Sequence, residues 1–130
     1  MAVLGIGVDL VEVARWEQAL HRRPRLIGRL FTAEEVAEAG TGPTRGQRLA
    51  VRFAAKEAVV KACGGWHGGR WRDVAIRRSG EGPPRVEVCG PLGAWLRQAG
   101  AEVWVSLSHQ RAWVVAVAVV EAVAKEDDRP

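Results

Sequence analysis

Asp9 sits inside "GIGVDLVEV", a run of Val, Ile and Leu with two glycines that otherwise reads as a buried β-strand. A carboxylate taken out of water needs a cation, a donor or a route back to solvent. Glu57 and Lys61 stand one turn apart in "RGQRLAVRFAAKEAVVKA", a helical stretch. A carboxylate at a strand end and another on a half-buried helix face can converge on one hard cation. Mg2+ takes one or two protein carboxylates and completes its octahedron with water and substrate phosphate. Simpler roles stand beside this one: Asp is a common N-cap for a following helix, and an i,i+4 Glu–Lys pair is worth only ~0.3–0.5 kcal/mol on any helix. The third feature is "SLSHQ", where His109 lies at a turn between two strands. Alternation puts Ser106 and Ser108 on the other strand face, which argues against a Ser–His nucleophilic pair. His109 is then free to donate to a phosphate, or simply to face water. "CGGWHGG" adds flexible glycines but does not match a phosphate-binding GxxxxGK[ST] loop.

The elements that must position these groups follow from periodicity and punctuation. Residues 3–8 read as a strand ending at or near Asp9, and "VEVARWEQAL" has helical spacing with Val13, Trp16 and Leu20 on one face. Pro24 in "HRRPR" breaks that helix. Thr32 and Glu35 form a capping box at the start of "FTAEEVAEAG", and Gly40 supplies its stop. Residues 45–62 form the longest helix. Leu49, Phe53 and Val60 mark its buried stripe, while Arg45, Arg48, Arg52 and Lys56 gather on one flank. Glu57 and Lys61 lie on the other flank among Ala50 and Ala54, whose small side chains leave room for something to approach. "RDVAIRRS" and "PRVEVCG" are two strands joined by "GEGPP". "PLGAWLRQAG" is a helix with Pro91 at its first position and Gly100 at its end. "EVWVSLSH" and "AWVVAVAVV" close the chain as a hairpin. The order β-α-α-α-β-β-α-β-β indicates an α+β fold with a largely antiparallel sheet. The last strand lacks polar alternation, so both its faces should be covered, by helices or by another subunit.

Composition narrows the function classes. The chain of 130 residues fits a single domain, 1–130, with 48% hydrophobic and 26% charged residues. No Lys or Arg precedes the first apolar run, and the longest apolar run, Ala112 to Val120, is under half of the ~20 residues of a membrane helix. A cytoplasmic protein with no membrane contact is expected. Cys63 and Cys89 have no CxxC spacing and read as free thiols; His21, His67 and His109 are too scattered for zinc. The net charge is +4, and residues 15–29 hold Arg15, Arg22, Arg23, Arg25 and Arg29 against a single Glu17. The tail "KEDDRP" is acidic. A basic stretch of this kind calls for an anionic partner.

Taken together, "GIGVDLVEVAR", "FTAEE", "RFAAKEAVVKACGG" and "VSLSHQRAWVVAVAV" resemble, in order and spacing, the holo-acyl-carrier-protein synthases of the 4′-phosphopantetheinyl transferase family. The resemblance implies that fold, and an enzyme that moves the phosphopantetheine arm of coenzyme A onto a serine of apo acyl carrier protein. The by-product would be adenosine 3′,5′-bisphosphate, and the activity would support fatty acid biosynthesis. It implies Asp9 and Glu57 as Mg2+ ligands, Glu57 and Lys61 as catalytic groups, and Arg52, Lys61, Gly64, Ser108 and His109 as coenzyme A-binding residues. It also implies a homotrimer with coenzyme A bound between subunits. The acidic carrier would dock on Arg15, Arg22, Arg23 and Arg25. Two rival classes remain. A nucleic-acid-binding module would use the arginines, but no RNP-type aromatic strand, KH loop or zinc spacing is present. A non-catalytic coenzyme A-binding subunit would keep the fold without the metal pair.

Overall fold

The computed structural model describes residues 2–78 and 82–123. Its centre is one long helix, α4 (Arg45–Ala62), laid across the inner face of a three-stranded antiparallel sheet. That sheet has the order β1 (Val3–Glu12), β5 (Trp113–Ala122), β4 (Ala101–Gln110). Between β1 and α4 come α1 (Val13–Arg22), α2 (Leu26–Leu30) and α3 (Ala33–Ala39). After α4, a 3-10 turn (Trp71–Asp73) leads into a second antiparallel pair, β2 (Val74–Arg77) and β3 (Arg85–Val88), and then α5 (Gly90–Ala99). The architecture is α+β with antiparallel sheets, as the element pattern indicates.

Close approach of helix and sheet explains the small residues. A Cβ on Gly5 would overlap the Ala62 carbonyl, and one on Gly7 the Ala58 carbonyl. Ala54, Ala58, Ala116 and Ala118 are fully buried along the seam between α4 and the sheet. Ala50 is fully buried as well, which leaves no open space beside it or Ala54 for a ligand. Only glycine in β1 and alanine in α4 and β5 let the backbones come this near.

Several elements differ from the sequence reading. β1 runs on through Asp9 to Glu12, with Asp9 opposite Ala116, and α1 begins only at Val13. Asp9 is thus an in-strand residue and not an N-cap; Glu12 holds that position and makes no side-chain cap. The observed order has four helices after β1, because the five residues Leu26–Leu30 form α2. Arg72 and Asp73 belong to the 3-10 turn ahead of β2. Part of the "GEGPP" turn (80–81) and the acidic tail lie outside the described residues. The capping box is present, with Thr32 N–H donating to Glu35 and Glu35 N–H to Thr32 Oγ1.

β5 is not covered on both faces within the chain. Val114, Ala116, Ala118 and Val120 are buried on α4, but Val117 and Trp113 on the other face are exposed. Register lines up Ile6 with Val119 and Trp104 on that outer face, Val8 with Val117 and Ser106, and Leu10 with Val115 and Ser108. Ile6, Leu10 and Trp104 are 66%, 60% and 57% exposed. Among the described residues no helix is long and apolar enough to cross a membrane.

Candidate functional site

Asp9 projects from the inner face of β1 toward α4, where Glu57 and Lys61 occupy consecutive turns. Lys61 does not pair with Glu57. Its ammonium donates to Asp9 Oδ1 at 3.2 Å and to the Val8 carbonyl at 3.1 Å. Asp9 and Glu57 line one cavity of about 430 Å3 together with Arg15, Trp16, Phe53 and Trp113. Burial holds the Glu57 carboxyl above its ordinary range, the Asp9 carboxylate pushes it the same way, and Lys61 opposes both. The cavity is lined by three carboxylates, Asp9, Glu12 and Glu57, of which Asp9 and Glu57 repel each other and only Asp9 has a salt-bridge partner among the described residues. Lys61 is itself half exposed.

A second cavity, of about 580 Å3, opens on the opposite flank of α4 at the β4 edge. Gln47, Arg48, Arg52, Arg78 and His109 line it, with Glu38 at its side. Gln47 Nε2 donates to His109 Nδ1 at 3.3 Å, so His109 is an exposed strand residue of β4 whose ring is held on one side by Gln47. Arg52 is 5% exposed; it donates to the Arg48 carbonyl through Nη1, while its Nε has no partner. Burial lowers the pKa of Arg52, and the nearby Glu38 and Glu35 carboxylates resist that. Cationic, half-enclosed and with a buried donor to spare, this cavity suits a phosphate.

Lys56 is not part of that flank. It is completely buried, donating to Glu35 Oε1 at 2.7 Å, to the Trp71 carbonyl at 3.1 Å and to the Val74 carbonyl. Gln47, which bonds His109, and Trp16 and Phe53 of the aromatic wall were not singled out as site residues by the sequence pattern. Phe53 and Trp16 looked like ordinary core positions. Ser108 lies on the outer sheet face, on the far side from His109. Gly64 follows α4 with φ +79, a left-handed turn that ends the helix just beyond Lys61. One chain thus gathers Asp9, Glu57 and Lys61 in one place, Arg52 and His109 in another, and leaves Ser108 apart from both.

The family model described as "4′-phosphopantetheinyl transferase superfamily" matches residues 5–118. The chain belongs to that superfamily. As a member it is a transferase, and its similarity to named transferases extends nearly end to end. It is 42% identical over 127 residues to the holo-[acyl-carrier-protein] synthase of Moorella thermoacetica, covering 96% of this chain and 99% of the relative. The crystal structure of the Neisseria meningitidis holo-[acyl-carrier-protein] synthase superposes with a TM-score of 0.82 at 32% identity, covering 92% and 99% of the two chains. A Bacillus anthracis holo-(acyl-carrier-protein) synthase solved in complex with CoA (3′,5′-ADP) gives a TM-score of 0.76 at 30% identity, covering 93% and 98%. The transferase fold is therefore the fold described above.

Proposed function

We propose that this transferase is a holo-acyl-carrier-protein synthase. It would move the 4′-phosphopantetheine arm of coenzyme A to a serine hydroxyl of apo acyl carrier protein and release adenosine 3′,5′-bisphosphate, in support of fatty acid biosynthesis. The observation that carries the reading is the meeting of Asp9 and Glu57 in one cavity from elements far apart in sequence, with Lys61 bonded to Asp9 beside it. The donor set fits Mg2+. Two carboxylates left in mutual repulsion gain from a divalent cation, and although Glu12 lines the same cavity, no set of three His, Cys, Asp or Glu side chains converges as metal ligands among the described residues. That leaves coordination positions for water and phosphate. When bound, the ion would neutralise pyrophosphate charge and favour departure of the leaving phosphate.

The chain's own residues supply the rest. Phosphoryl transfer depends mainly on positioning and electrostatic stabilisation. Glu57, whose proton affinity is raised by its surroundings, accepts the serine proton directly or through a water. Lys61 screens charge accumulating on the phosphates. Arg52 and His109 hold the nucleotide's 3′-phosphate, while Gly64 and Ser108 lie along the coenzyme's path. Two of these groups of residues occupy separate cavities on opposite flanks of α4, and the third an outer sheet face. A single chain is then half of two sites. A homotrimer in which one subunit's cationic flank completes its neighbour's carboxylate cavity would join them. The exposed rows around Ile6, Val117 and Trp104 would be covered in the same step. The basic face of Arg15, Arg22, Arg23 and Arg25 would receive the acidic carrier, with Arg15 already at the wall of the carboxylate cavity.

The deciding experiment incubates the protein with apo acyl carrier protein, coenzyme A and Mg2+ and weighs the carrier by mass spectrometry. A shift by the phosphopantetheine mass is expected; an unmodified carrier overturns the assignment, in favour of a non-catalytic binding subunit where coenzyme A still binds. Sedimentation at micromolar concentration is expected to give a trimer. A stable monomer there would refute the shared site while leaving the reaction class standing.

A further inference from the structure

The aromatic wall of the carboxylate cavity does not stop at that cavity. Trp16 stacks on Phe53 with ring centroids 4.6 Å apart, Phe53 stacks on Trp71 at 5.3 Å, and Trp71 meets Trp66 edge-on at 4.7 Å. Trp66 and Trp71 form one wall of a separate open cleft of about 990 Å3 between α2 and the 3-10 turn. Three arginines, Arg29, Arg70 and Arg72, rim that cleft. All three are exposed, and none forms an ion pair among the described residues. The single carboxylate there, Asp73, is already engaged. Its Oδ2 accepts the Arg70 backbone N–H at 2.9 Å and its Oδ1 faces the Cys89 thiol.

We infer that this cleft is a second docking point for the carrier protein, receiving a carboxylate-bearing helix or loop remote from the modified serine. The inference rests on the proposed transfer reaction and extends the carrier footprint from α1 to the far side of α2. Its continuity with the reacting centre is physical. One row of packed, largely buried rings runs from the wall of the Asp9–Glu57 cavity to the wall of the basic cleft. Its charge is complementary to an acidic protein. The occupant is a protein surface and not a small phosphate, because the cations stand on an open rim. None of the buried unpartnered donors, those of Trp16, Arg45 and Arg52, lines the cleft. Exposed pairs are individually weak, so two or three arginines acting on one partner would change its capture and orientation more than the chemistry.

Steady-state kinetics of the full chain with apo acyl carrier protein test this against the α1 face. Arg70→Glu with Arg72→Glu is expected to raise the KM for the carrier about five- to ten-fold at physiological ionic strength. The kcat and the KM for coenzyme A should stay within about two-fold, and raising salt should shrink the difference. Arg70→Gln with Arg72→Gln should give a smaller change of the same sign, which guards against a folding defect. Arg15→Glu with Arg22→Glu serves as the reference for the proposed docking face. If that reference raises the carrier KM and both cleft variants do not, the second docking point is wrong and the transfer reading stands. A rise in the coenzyme A KM instead would assign the cleft to the nucleotide and overturn the inference. A wild-type chain that modifies no carrier overturns both.

Discussion

Two lysines of α4, five residues apart, show how alike sequence patterns lead to opposite ends. Lys56 places its ammonium on Glu35 and on the Trp71 and Val74 carbonyls, so its three donors are used. Glu35 is nearly as fully engaged: Oε1 also takes the Thr32 N–H, and Oε2 takes the Ile76 N–H at 3.0 Å. This pair ties α3, α4 and β2 together and is sealed from solvent. Lys61 has a half-exposed ammonium on Asp9 and a carbonyl, and beside it Glu57 has no salt-bridge partner among the described residues. The first cluster has little bonding capacity left for a ligand. The second retains it, and unfilled capacity around partly buried charge is what a reacting centre requires.

The sharpest way to test that contrast is to break the sealed pair. Lys56→Met leaves Glu35 buried without its cation, and removing one partner of such a pair costs ~3–5 kcal/mol. Urea unfolding should show a correspondingly large loss, part of it regained when Glu35→Gln is added. A wild-type midpoint for Lys56→Met would mean the pair is not the structural tie described. At the open cluster the expected pattern is reversed. Asp9→Asn should lower transfer by on the order of 100-fold or more, since the carboxylate proposed to hold Mg2+ would be lost, and such a ligand is worth several kcal/mol to the transition state. Its unfolding midpoint should barely move. Loss of fold in Asp9→Asn with full activity of the remaining folded fraction would erase the distinction.

The smallest effect is one of pH. The folded chain holds the Glu57 proton more tightly than the unfolded chain does, because burial and Asp9 raise its pKa. Stability from this group is present below the unfolded carboxylate value and is lost as pH rises through the folded one. In metal-free buffer Glu57→Gln should therefore unfold at or slightly above the wild-type urea midpoint at pH 7. That advantage should fade toward pH 4. A variant clearly weaker than wild type at pH 7 would place Glu57 with Lys56, as a structural group.

Patterns confined to one element were legible in the sequence. The limits of α4, the Thr32–Glu35 box, the Gly100 stop of α5 and its start to within one residue (Gly90 against the predicted Pro91), and the opposition of Ser108 and His109 all follow from local periodicity or capping. Features set by long-range contact were not. Nothing near Lys56 distinguishes it from Arg52, since its burial depends on Glu35 and on carbonyls of a segment that folds over it later in the chain. Asp9 could be read as a helix cap because the continuation of β1 is enforced by β5, more than a hundred residues away. Ala50 and Ala54 of α4 looked like space for a ligand, but tertiary packing buries both completely. The five-residue α2 is too short for any period to mark it. Asp9, Glu57 and Lys61 could each be named from sequence, but that Lys61 prefers Asp9 to Glu57 depends on the seam between helix and sheet.

The aromatic row has an optical consequence. The chain contains six tryptophans and no tyrosine, so its near-ultraviolet emission comes from indole alone. Trp16 and Trp113 stand at the wall of the carboxylate cavity, and Trp66 and Trp71 at the wall of the basic cleft. The edge-on Trp66–Trp71 pair lies within easy range of resonance transfer, so excitation absorbed by either ring is shared by both. The protein thus carries a built-in lamp at each of the two places where its chemistry and its partner are proposed to meet it, and dimming or colour shift in its own light becomes a label-free gauge of their occupancy.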